Sequence, residues 1–162
     1  MKLKYKILTG VVAGFAVMQL FTIDKNNPEA DPSINFISVL NPPQEISRIM
    51  KSSCYDSHSF ETRYPWYSNI APISWWLKGH VNHARDELNF SVWGNYSIDR
   101  KAHKLEEMVE KLNEGSMPLP SYLILHQHAK LDDQQLDKFV NWIQNYRQEI
   151  QLEFHVDKSC NT

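Results

Sequence analysis

The strongest chemical signal in this chain lies in five consecutive residues, Cys54, Tyr55, Asp56, Ser57 and His58. A cysteine, a second cysteine three positions on, and a histidine directly after it form the attachment site of a c-type haem. The imidazole binds iron, and each thiol adds to a haem vinyl group as a thioether. In this chain Cys54 and His58 hold the outer positions, while Ser57 stands where the second cysteine belongs. A hydroxyl does not make that thioether, so the motif allows a haem held by one thioether at most, or a non-covalent one.

The same residues admit other chemistry. Cys160 is the second of two cysteines, and in an oxidising compartment a Cys54–Cys160 disulfide is the plain alternative. A thiol enzyme built on Cys54 and His58 lacks a visible orienting third group. His80, His83, His126 and His128 lie away from any cysteine or carboxylate at zinc-ligand spacing.

Helices must position these groups. After Pro43, Ile46, Ile49 and Met50 recur at helical spacing, and Cys54 and His58 continue the stripe. A second helix is expected over about Pro72–Leu88, with Ile73, Trp76, Leu77, His80, Val81, Ala84 and Leu88 on one face. A third runs over about Asp99–Asn113 and ends before Gly115. A fourth opens at Asp132 with Gln135 completing a capping box. Residues 151–162 read as a loose tail. Between the third and fourth helices, Pro118 and Pro120 stiffen a loop that carries Met117. No stretch alternates long enough to predict a strand.

The N-terminus is of a different kind. Lys2, Lys4 and Lys6 precede an uncharged run from Ile7 to Ile23, short for a membrane span but with the flank of one. Residues 1–23 are therefore expected to be a membrane anchor, or alternatively a signal segment. Residues 24–43, with Pro28, Pro32, Pro42 and Pro43, read as a Pro-rich spacer. Residues 44–150 form the helical domain, placed in the periplasm or another extracytoplasmic space. A net charge of −2 gives no basis for nucleic-acid binding.

The chain resembles the bacterial haem-binding domain family with a C-x-x-C-H site, found in short exported proteins. The resemblance runs from about Asn27 to Trp142. It rests on Ser53–Ser59, on the aromatic stretch Glu61–Pro72, on Leu88–Ser91 and Lys104–Glu107, and on Met117–Tyr122 followed by Leu131–Asp132. It implies an all-α fold, a small cytochrome c-like bundle of about four helices after an N-terminal membrane helix. It also implies haem as cofactor, with His58 as proximal iron ligand, Cys54 as surviving attachment and Met117 as distal ligand. His80 is the alternative distal ligand. Arg63 is a candidate partner for a haem propionate, and Trp66, Tyr67 and Trp76 are candidate pocket walls. The expected function is electron transfer with an unknown redox partner protein, not enzymatic catalysis. An open distal site would admit gas sensing or a weak haem-based activity. A degenerate member without haem, acting as a membrane-tethered interaction module with the Cys54–Cys160 disulfide, is the alternative.

Overall fold

The structure is a computed structural model that describes residues 2–160, with side chains described as far as Leu152. Among these residues there are helices and turns but no strand. The helices are α1 (Lys2–Met18), α2 (Phe36–Leu40), α3 (Gln44–Ser53), α4 (Tyr55–His58), α5 (Ile73–Glu87), α6 (Ile98–Asn113), α7 (Pro120–Leu123) and α8 (Asp133–Cys160). Short 3-10 turns at Pro32–Ile34, Trp66–Asn69, Phe90–Asn95 and Gln127–Ala129 join them.

The longest packed pair is α6 against α8. Leu105 and Leu112 from α6 meet Phe139 and Ile143 from α8, all buried in one core. The ends of both helices are set by local chemistry. Asp132 and Gln135 exchange the two capping-box hydrogen bonds, at 2.8 and 3.1 Å, which satisfies amide donors that the first turn leaves orphaned. At the other end of α6, Gly115 takes a left-handed conformation, φ +68°, that an L side chain adopts only with strain.

Four expectations change. The spacer is part of the domain: Phe36 has no solvent exposure and meets Phe90, Trp93 and Trp142 edge-on at 5.1, 4.7 and 6.1 Å. Asn35 anchors this strap, because its side-chain oxygen accepts from the Ile37 amide and the buried Tyr55 hydroxyl. The second helix buries only the later part of its expected face. Ser74 and Val81 are its buried positions, whereas Ile73, Trp76 and His80 are exposed. Val81 and Leu88 of the expected face are buried and Leu77 and Ala84 half-buried, so the stripe holds toward the end of α5, where it meets α4, and fails at its start. The tail is helical, since α8 continues to Cys160.

The fourth change is at the N-terminus. The helix stops at Met18, and no described helix is long and apolar enough to cross a membrane. Residues after it fold back along the domain. The Gln19 side chain bonds both the amide and the carbonyl of Ala71, each at 3.0 Å, and Trp75 donates to the Phe21 carbonyl at 2.8 Å. The apolar side chains of α1 are uncovered.

Candidate functional site

The first stretch of the motif does not continue α3. The helix breaks at Cys54 (φ −124°, ψ −42°) and restarts as α4. One turn of α4 then sets Cys54 and His58 on the same wall, the His58 amide donating to the Cys54 carbonyl at 2.9 Å. Both side chains line a cavity of about 210 Å³, or about 860 Å³ when the space out to its mouth is counted. Leu88, Phe90, Met108, Leu112, Pro118 and Phe139 make its lining apolar, and Met117 stands at its edge. The charged groups at the cavity are Glu87, Lys104, Glu107 and Lys111. Lys104 bridges Glu107 at 2.6 Å and Glu87 at 3.6 Å. Lys111 pairs with Glu114 at 3.0 Å.

His58 is oriented by the end of α5. Its Nδ1 lies 3.0 Å from the Ala84 carbonyl and 3.1 Å from that of Leu88. The Ala84 carbonyl already accepts from the Leu88 amide at 2.9 Å and keeps a second lone pair, and both carbonyls are acceptors only, so they take the imidazole N–H. That fixes the proton on Nδ1 and leaves Nε2 with its lone pair. Nε2 has no hydrogen-bond partner among the described residues, and the ring lines the cavity. Burial pulls the His58 pKa below its ordinary value, so the ring is neutral, the form that binds a metal. An N–H held by backbone carbonyls is the outer-shell arrangement that orients a ligating histidine. Phe90 braces the ring edge-on at 6.1 Å.

The turn after His58 is clamped as well. Arg85 donates to the Ser59 carbonyl, the Thr62 hydroxyl and the Asn27 side chain at 2.7–2.8 Å. The Cys54 side chain is a free thiol, and burial pushes its pKa up to about 12. The thiol is therefore protonated at neutral pH, which does not favour nucleophilic chemistry of the free thiol. The side chain of Cys160 lies outside the described residues.

Met117 reaches the cavity by the cap of α6. The amides of Ser116 and Met117 both donate to the Lys111 carbonyl, at 3.1 and 3.2 Å, folding the loop back along the helix. A second tie comes from Tyr122, whose hydroxyl donates to Asp56 at 2.9 Å. Asp56 lies inside the motif, so this bond joins the loop that carries Met117 to the helix that carries His58. Tyr122 stacks on His126 at 4.1 Å, and His126 Nε2 lies 2.9 Å from the Tyr67 hydroxyl.

The structure thus brings together Cys54, His58 and Met117, and leaves five other expected residues outside the cavity lining. His80 is exposed, bonded to the Trp76 carbonyl and packed on the Trp76 ring. Arg63 is exposed and paired with Asp56 at 3.3 Å. Trp66 is 71% exposed and Trp76 49%. Tyr67 is buried, but against His126. In their place the lining comes from Phe90, Met108, Leu112 and Phe139, with Lys104 and Lys111 as the cationic groups. A signal for part of this set lay in the spacing: Lys104, Met108 and Lys111 stand at i, i+4 and i+7 and share one face of α6. Ser57 is half-buried and lies outside the lining.

A haem fits these residues. An apolar cleft accepts the macrocycle, an oriented neutral imidazole opens onto it, and ammonium groups at its border match propionates. Among the described residues, no group of three or more His, Cys, Asp or Glu side chains gathers to hold a separate metal ion.

A model of the haem-binding domain family matches residues 13–145. The chain belongs to that family, with haem as its cofactor. No curated protein matches the chain, and no solved structure does.

Proposed function

We propose that the protein carries one haem in the cavity between α4, Phe90 and α6, and passes single electrons to and from a partner outside the cytoplasm. The observation that carries this reading is the two-carbonyl grip on His58 Nδ1, which aims Nε2 into the apolar cleft. His58 is the iron ligand and the Cys54 sulfur the single thioether. The Met117 sulfur is the sixth ligand, and Lys104 and Lys111 take the propionates. Bound there, haem supplies reversible one-electron chemistry, and His/Met ligation favours a raised potential.

With His58 and Met117 both holding the iron, these residues would leave it no position open to substrate or gas. The apolar wall from Leu112, Met108 and Phe139 excludes water from the ring, which limits charge reorganisation when the electron arrives. Lys2, Lys4 and Lys6 before the apolar side chains of α1 support delivery to the extracytoplasmic side, since basic residues flank the cytoplasmic end of such segments.

The test is haem staining of the full chain, made in a host with c-type maturation, on a denaturing gel, alongside its absorption spectrum. A Soret band and a stained protein band are the expected result. Cys54→Ala should keep the Soret band and lose the stain. A colourless protein of full helicity would leave the degenerate, haem-free module as the better account.

A further inference from the structure

On the far side of the motif lies a second concavity, of about 610 Å³, and its charge is one-sided. Arg48, Lys51, Arg63 and Lys130 line it together with His128, against the carboxylate of Glu45 alone. That carboxylate is already engaged by Lys138 at 2.9 and 3.2 Å, and Arg63 is engaged by Asp56. Arg48, Lys51 and Lys130 are exposed and have no acidic partner among the described residues. The chain as a whole carries a net charge of −2, so this concentration of uncompensated cations runs against its overall balance.

The groove shares a wall with the haem cavity. Ser52 lines the groove, and Ser53 and Cys54 line the cavity. The two serine hydroxyls lie 3.2 Å apart, and Ser53 donates to the Ala129 carbonyl at 2.8 Å, between His128 and Lys130. We infer that this basic groove is the docking surface for an acidic face of a partner protein, its wall at Ser52 two positions from Cys54.

The proposal rests on the electron-transfer reading for what the partner does, while the charge of the groove stands apart from it. The cations lie on three separate stretches of chain and spread along a groove, which suits an extended acidic surface better than one small anion. Complementary charge of this kind speeds encounter and fixes orientation. It would bring an electron partner to the haem edge nearest the thioether.

The full chain, with and without haem, is titrated with a short fluorescein-labelled poly-L-glutamate peptide, followed by anisotropy. Binding should appear at low salt, weaken as salt rises, and fall by about tenfold or more in the variant R48E/K51E/K130E. The variant K2E/K4E/K6E makes the same change in net charge at α1 and should bind as the parent does. Loss in the α1 variant, or none in the groove variant, overturns the proposal. Phosphatidylglycerol vesicles or inorganic phosphate competing through the groove, with the peptide not bound, would assign it to a lipid surface or a small anion and overturn it equally. Peptide binding by a chain that never takes up haem would uphold the groove and reject the haem reading.

Discussion

His58 and Met117 line the same cavity, but the chain holds them in different ways. His58 sits between two carbonyls of α5, with Phe90 against its ring and Arg85 clamping the turn that follows. Met117 is 36% exposed, on a loop held by two amides on Lys111 and by the Tyr122–Asp56 bond. The first side is over-determined by buried contacts, so it is in place before any ligand arrives. The second depends on a few ties at the surface and gains order from what it binds. A haem pocket built this way takes its affinity from one wall and its spectrum and potential from the other.

The sharpest way to break that comparison is to remove each ligand in turn. His58→Ala should lower haem affinity by more than about 100-fold, since the loss of outer-shell partners alone costs up to that much. Far-UV circular dichroism should show its helices intact. Met117→Ala should keep haem bound and shift the iron from low to high spin in the visible spectrum. Equal loss of haem in both variants would show that the two walls contribute alike.

Next in size is the clamp. Arg85→Ala strips the donor from the Ser59 carbonyl, whose residue has no solvent exposure, and from Thr62, which is 8% exposed. A buried acceptor left unpaired costs about 1–3 kcal/mol. Thermal melting of the haem-free chain should register this fully, because the proximal wall is formed without ligand. A melting curve unchanged from the parent would show that the turn holds without Arg85.

Tyr122→Phe removes one hydroxyl and should cost about 1 kcal/mol or less. Its specific effect lies elsewhere. With the loop untied from Asp56, a fraction of the haem should become high spin while affinity stays near that of the parent. Tyr122 is a positioning residue in this account, acting on the iron through Met117. A fully low-spin spectrum in Tyr122→Phe would show that the cap of α6 alone holds the loop.

These sites also show what a sequence makes legible. Cys54, His58 and Met117 carry signals in their own type and spacing, and all three reach the cavity. The capping box at Asp132 and Gln135 is likewise local, and it forms as the residues suggest. The aromatic stretch misled, because Trp66 on a turn and Trp76 on α5 are large and apolar but face out, while Phe36, Phe90 and Trp93 fill the core. Aromatic density does not tell which ring faces inward; that is settled by strands of contact between distant segments. The first turns of α5 departed from expectation for the same reason. Its apolar period is real, and Val81 and Ala84 of that stripe meet the motif turn, while Ile73, Trp76 and His80 stay exposed. Phe36 lay in a stretch that prolines made look like a spacer, and only tertiary packing shows it to be core. The rim lysines were legible as one face of α6, though nothing in the sequence said what that face borders.

The smallest expected effect concerns protons. Burial holds the folded pKa of His58 below its ordinary value of 6.5, and His126 is displaced in the same direction by its burial and by His128. As the pH falls through 6.5, the unfolded chain therefore binds protons that the folded chain refuses, and stability declines. Above that value both forms are neutral and these two histidines contribute no slope. The haem-free chain should thus melt at a steady temperature from pH 8 to about 6.5 and at lower temperatures below it. His58→Gln should flatten part of that decline. In the haem-bound protein the iron competes with the proton for Nε2, so the decline should begin at the same pH but continue to lower pH before it levels off. If the haem-free and haem-bound curves level off at the same pH, iron and proton do not share that nitrogen, and the wall that holds His58 does not face the metal.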